Sequence, residues 1–202
     1  MRSSRLYRAC YRIVRFFIGI FYRVDILGRE NIPDGPAMIC ANHSSMLDPF
    51  LLVFAFGIDC QIHIMAKAEL FRIPVLSQIL RKLGMIRVNR GMTDMATVKS
   101  TLGYLQNGEK VAIFPEGTRT ATDDSISAKN GAVRIAERAG VQVVPFFIPR
   151  KKPLFHKIPV VIGVPYRIEK QDEKRAAEEY AELADRLMEK IKALNPKART
   201  EN

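Results

Sequence analysis

The sequence is poor in cysteine and has no long apolar run. Cys10, Cys40 and Cys60 are odd in number, far apart and free of any C-x-x-C spacing. That excludes a disulfide framework and a cysteine-built zinc site, and fits a reducing, cytosol-facing location. In the N-terminal segment the longest uninterrupted apolar stretch, Phe16 to Tyr22, has seven residues, far below the ~20 that a spanning helix needs. No small-residue cleavage site follows it, so neither a transmembrane helix nor a signal peptide is expected. There is no Pro/Gly/Ser-rich spacer, no low-complexity tract and no solenoid or propeller period, so a single domain is expected. G-x-S-x-G, Walker A, G-x-G-x-x-G and H-E-x-x-H are all missing, which argues against serine hydrolases, P-loop enzymes, Rossmann dehydrogenases and zincins.

What is present is a chain of 202 residues, 48% hydrophobic, enough for one substantial core. The formal net charge is +11, which calls for an anionic partner: nucleic acid, a phospholipid surface, or an acidic substrate or carrier. Much of this charge lies at the start. Arg5, Arg8, Arg12 and Arg15 recur at helical steps, while Leu6, Cys10, Ile13, Val14 and Phe17 gather on the other side, and no acidic residue precedes Asp25. Residues 1–22 are therefore expected to form a basic amphipathic helix at a membrane interface. An ordinary helix docked on the core, or a mitochondrial presequence, fits the same pattern.

Downstream, short β-rich segments recur: an extended stretch near 23–28, "AMICA", "CQIHIMA", "GMIRV", "KVAIF", "VQVVPFFI" and "IPVVIGV". Helical patterns lie between and after them, at residues 49–56, 74–83, 94–106, 130–139 and about 171–194. Strands alternating with helices predict an α/β domain over residues 23–195, with a mostly parallel or mixed sheet flanked by helices, and a tail at 196–202. In such sheets ligands sit beyond the carboxyl ends of the strands.

The first strand-end with chemistry is "ANHSSMLDP". Within one straight helix His43 and Asp48 would lie about 140° apart and could not meet. Pro49 changes this, because the residue before proline avoids the α region and proline favours the first helical turn. Asp48 then reads as the N-cap, and the preceding turn can fold His43 back onto its carboxylate. Such a carboxylate fixes one imidazole nitrogen as N–H and frees the other to take a proton, the general-base arrangement. The same two residues also fit a plain helix cap and a hydrogen-bonded strand end.

In "VAIFPEGTRT" an apolar strand opens into Glu116, Gly117, Thr118 and Arg119. Glycine permits the turn, and the arginine can grip a phosphate with two donors. An Arg119–Glu116 pair bracing the turn is the alternative. "GMIRVNRG" ends a further strand in Arg87 and Arg90, and Lys129 with Asn130 opens a helix where an anion could bind. If parallel strands bring these ends to one edge, a base, a carboxylate and several cations converge on a site suited to a phosphorylated alcohol. His63, inside an apolar strand, and His156, in a basic loop, have no evident partner and read as structural.

Together these stretches resemble the glycerolipid acyltransferase family, and within it the bacterial 1-acyl-glycerol-3-phosphate (lysophosphatidic acid) acyltransferases. N-H-x-x-x-x-D appears as Asn42 to Asp48, and F-P-E-G-T-R is complete from Phe114 to Arg119. G-x-x-F-I-x-R appears from Gly84 to Arg90 with Arg87 where an aromatic is usual, and the apolar strand reaching a proline matches "VQVVP". The resemblance covers most of residues 35–165. It implies that His43 deprotonates a glycerol hydroxyl that attacks an acyl thioester, and that Asp48 orients the base. Arg90, Glu116, Gly117, Thr118 and Arg119 would bind the phosphorylated acceptor, with Arg87 and Lys129 as further anion contacts. No covalent acyl-enzyme, metal or bound cofactor is implied; acyl-CoA or acyl-acyl carrier protein would be the co-substrate. The implied partners are an anionic membrane surface, a lysophospholipid and an acyl carrier protein, with no nucleic acid. The implied location is peripheral or monotopic, at the cytoplasmic face of the cell membrane. Glycerol 3-phosphate or another lysophospholipid is the alternative acceptor, and a non-catalytic anionic-lipid-binding module the alternative class.

Overall fold

The computed structural model describes residues 3–89, 94–120, 128–171, 173 and 175–196. The chain runs through α1 (Arg5–Phe21), β1 (Arg23–Leu27), a 3-10 turn (Arg29–Asn31), β2 (Ala37–Ala41), α2 (Asp48–Phe56), β3 (Ile62–Lys67) and a second 3-10 segment (Ala68–Arg72). It continues through α3 (Pro74–Lys82), β4 (Ile86–Val88), α4 (Met95–Gln106), β5 (Lys110–Ile113), α5 (Gly131–Ala139), β6 (Gln142–Phe147), β7 (Lys157–Ile162), β8 (Tyr166–Arg167) and α6 (Ala177–Ala193). All strands join one sheet in the order β1-β7-β6-β2-β5-β3-β4, with β8 on β6. The run from β6 to β4 is parallel, whereas β7 and β8 lie antiparallel to β6.

This is the expected α/β class with a mixed sheet. Two residues of β8 and the short 3-10 segments are too brief to leave a periodicity in the sequence. The last helix starts later than its pattern suggests. Just before it, Arg175 donates to Glu137 on α5 at 2.7 Å and to the Glu169 carbonyl at 2.7 Å.

Strand alternation builds two cores from one sheet. Along fully buried β2, Met38 and Cys40 face the cluster closed by α5 and α6, while Ala37, Ile39 and Ala41 face the one closed by α1 and α2. The apolar strands "KVAI" and "QVVPFF" are split in the same way. Burial on both faces explains why these segments read as continuous hydrophobic runs.

Helix α1 starts at Ser4, whose side chain accepts from the Tyr7 amide. It docks through Tyr7, Tyr11 and Ile18, residues spaced to share one helical face. The Tyr7 hydroxyl donates to the Cys60 carbonyl at 2.8 Å. The docking face thus centres on residues outside the two stripes read from the sequence, with Val14 of the apolar stripe packed beside them. Ile13, Phe16, Phe17 and Ile20 remain 58, 65, 56 and 48% exposed. The helix is both docked and apolar on its outer side. No described helix is long and apolar enough to cross a membrane.

Candidate active site

The site begins where β2 ends at the centre of the sheet. Asn42 links this end to the end of β6, donating to the Ile148 carbonyl at 2.7 Å and accepting from the Ile148 amide at 2.8 Å. The next residue, His43, is 7% exposed, and its ring stacks on Phe114 with centroids 4.2 Å apart. Its Nδ1 lies 2.9 Å from Asp48 Oδ2. The loop does fold the pair together.

The cap assignment for Asp48 is corrected. The helix already includes Asp48, Leu47 is the cap without a side-chain cap bond, and proline occupies the first turn. The carboxylate turns back to the loop instead of forward to the helix. Oδ2 accepts from the amides of Ser44 at 2.6 Å and Ser45 at 2.7 Å, and Oδ1 from the Ser45 hydroxyl at 3.1 Å. Lys152 Nζ adds an ion pair at 2.8 Å. Burial by itself would raise the Asp48 pKa. The hydrogen bonds from His43, Lys152 and Ser45, with the Lys152 charge, outweigh burial and bring it down to about 2. An ionised carboxylate can only accept. Neutral His43 therefore carries its proton on Nδ1 and leaves Nε2 as the basic nitrogen.

The end of β5, next to β2, is laced to this loop. Glu116 is 3% exposed and pairs with Arg150 at 3.0 Å while accepting from Thr120. Arg150 also donates to the Thr120 carbonyl at 2.7 Å and reaches the His43 carbonyl at 3.5 Å. The Thr120 amide donates to that same carbonyl at 2.9 Å. The brace for this turn is Glu116–Arg150, so the Arg119–Glu116 alternative is not realised. Thr118 and Arg119 are exposed beyond the strand end. Gly117, at φ 68°, allows Lys129 to lie across it; a Cβ there would be 2.8 Å from Lys129 Cε. Gly117, Thr118, Arg119 and Lys129 thus form one cationic turn beside the His43 loop.

The remaining basic positions are placed differently. Arg87 is on edge strand β4, three strand spacings or about 14 Å from β2, and lines a separate hollow of about 250 Å³ with Arg81, Ser100 and Tyr104. Arg90 lies outside the described residues. Among the described residues no group of three or more His, Cys, Asp or Glu could hold a metal ion.

Residues 23–149 match the family described as Acyltransferase. The chain belongs to the acyltransferase family. It is 31% identical over 199 residues to the 1-acyl-sn-glycerol-3-phosphate acyltransferase of Bacillus subtilis, covering 95% of this chain and 98% of that one. The Borreliella burgdorferi protein of the same name is 31% identical over 158 residues, covering 77% of this chain and 62% of its relative. Among solved structures, the 1-acyl-sn-glycerophosphate (LPA) acyltransferase PlsC from Thermotoga maritima superposes with a TM-score of 0.68 at 28% identity, over 93% of this chain and 80% of that one.

Several parts of this acyltransferase site escape a reading by motif. Arg150 and Lys152 look like loop charge in "PRKKP", yet both turn inward. Their position just after β6, the other neighbour of β2, is the signal that could have found them. Phe114 reads as strand core but forms the wall against His43. His63, expected to lack a partner, has several. Its Nδ1 is 3.0 Å from the Gly84 carbonyl, its Nε2 is 3.4 Å from Glu109, and its ring stacks on Tyr104. His156 Nδ1 is 2.8 Å from the Leu154 carbonyl.

Proposed function

We propose that this chain transfers an acyl group from acyl-CoA or acyl-acyl carrier protein to the free hydroxyl of 1-acyl-glycerol-3-phosphate, giving phosphatidic acid. The observation that carries the reading is the buried His43–Asp48 pair, 2.9 Å apart, in an acyltransferase chain. Nε2 takes the hydroxyl proton as the oxygen attacks the thioester carbonyl. The tetrahedral adduct collapses, the C–S bond breaks, and the leaving thiolate recovers the proton from the imidazolium. Asp48 fixes the ring and stabilises that cation. No covalent acyl-enzyme and no metal takes part.

Arg119, Thr118, the Gly117 turn and Lys129 receive the acceptor phosphate, and the resemblance adds Arg90 of the G-x-x-F-I-x-R motif. Glu116 serves by holding Arg150. Both thioester donors are anionic and suit the basic surface. The site works at the cytoplasmic face of an anionic membrane. The exposed Phe16, Phe17 and Ile20 with Arg12 and Arg15 on α1 support this, because apolar side chains flanked by guanidinium groups suit a phospholipid interface. An apolar groove of about 400 Å³ between α1 and the start of α2, walled by Leu47 and Phe50, runs from that helix to the residue preceding Asp48. It suits an acyl chain.

An acyl-transfer assay on mixed vesicles, with both donors and an acceptor panel, tests the reading. Wild type esterifies 1-acyl-glycerol-3-phosphate, and folded His43→Ala loses at least about 10²-fold in rate. His43→Ala at wild-type rate sinks the mechanism, and preference for glycerol 3-phosphate sinks the acceptor assignment.

A further inference from the structure

Lys152, in the loop between β6 and β7, has a side chain only 6% exposed. Its ammonium reaches Asp48 Oδ1 at 2.8 Å, Ser44 Oγ at 2.8 Å and the Arg150 carbonyl at 3.4 Å. Three acceptors thus match its three N–H bonds. One carboxylate faces two nitrogen bases: Lys152 at Oδ1 and His43 Nδ1 at Oδ2. A single negative charge can neutralise only one of them.

This arrangement has a consequence for His43. With Lys152 charged and His43 neutral, the buried trio has no net charge. Protonating His43 leaves it with one uncompensated positive charge in a low-dielectric site. Take the Lys152 charge away and the balance reverses, because a lone buried carboxylate is neutralised when His43 becomes an imidazolium. Among the described residues, Arg150 lies 3.5 Å from the His43 backbone carbonyl and pairs with Glu116 at 3.0 Å. The Glu116 carboxylate there faces the Arg150 guanidinium. The Phe114 wall carries no charge.

We infer that Lys152 is a positioning residue of the acyl transfer, holding His43 in its neutral, proton-accepting form by occupying the Asp48 charge that would otherwise favour the imidazolium. The inference rests on His43 being the base of the proposed reaction, but the charge coupling can be read without turnover. The chain has only three histidines, so their ring signals can be followed against pH by NMR in the full-length protein.

Lys152→Gln keeps a hydrogen-bond donor and removes the charge; Lys152→Arg keeps the charge. The His43 midpoint in K152Q rises above wild type by about one pH unit or more, while those of His63 and His156 stay in place. K152R keeps the wild-type midpoint. The acid limb of kcat/KM moves with the midpoint, and KM for the acceptor stays within about threefold. D48N/K152Q leaves neither a lone carboxylate nor a lone ammonium, and its His43 midpoint lies above that of D48N. Equal midpoints with and without the Lys152 charge overturn the inference. A lysine that merely braced the loop would lower the melting temperature and leave the midpoint where it was. A wild type that transfers no acyl group refutes the proposed function, whereas an active wild type with an unshifted K152Q refutes only the role of Lys152.

Discussion

Asp48→Asn changes almost nothing in shape and much in charge. The wild-type carboxylate accepts from His43, Lys152, two backbone amides and the Ser45 hydroxyl. An amide offers one acceptor oxygen, which the two amides and the imidazole claim, and its NH2 then faces the Lys152 ammonium. The pKa falls from 3.8 to about 2 in the folded protein, worth roughly 2–3 kcal/mol at about 1.4 kcal/mol per unit. Stranding a buried lysine without its anion independently costs about 3–5 kcal/mol. D48N should therefore be about 3 kcal/mol less stable at neutral pH. Because the folded value lies below the unfolded one, this stabilisation is full above about pH 4 and lost as pH falls towards 2; about half should remain at pH 3. Urea unfolding of both proteins between pH 7 and pH 3 reads the gap directly. A gap under about 0.5 kcal/mol at pH 7, or one that stays constant down to pH 3, would refute the assignment of Asp48 as the ionised centre of the site.

Two other perturbations address the rim. Gly117→Ala places a Cβ 2.8 Å from Lys129 Cε at φ 68°, so the strained turn should cost about 1 kcal/mol, and displacement of Lys129 should raise the acceptor KM with kcat little changed; thermal melting and steady-state kinetics check both. Replacing Phe16, Phe17 and Ile20 together by serine should leave the melting temperature nearly unchanged, since all three are exposed. Sedimentation with anionic vesicles should nevertheless fall at least about tenfold, and unchanged sedimentation would move membrane contact to another surface.

Much of the fold was legible because its causes are local. Period-2 and period-3.6 patterns located the long helices and the core strands, and parallel strands buried on both faces announced themselves as apolar runs. Proline after Asp48 told of a helix start, although which residue capped it depended on where two loop amides happened to converge. The stripe on α1 was read as one apolar face against one basic face. Its docked side uses Tyr7 and Tyr11 instead, whose hydroxyls find carbonyl partners only once α2 and its following loop are in place.

The α/β class, a turn able to bring His43 to Asp48, and the strand-end turn of Gly117 and Arg119 could be read from local pattern, because each rests on neighbouring residues and the turns they can make. That Lys152 and Arg150 belong to the same site has no local signature. Those side chains are over a hundred residues from His43 and reach it only because β6 lies beside β2, an adjacency fixed by strand order. Strand order is a long-range packing outcome. It also leaves Arg87 out on the edge strand, and lets one buried carboxylate face both a base and a cation.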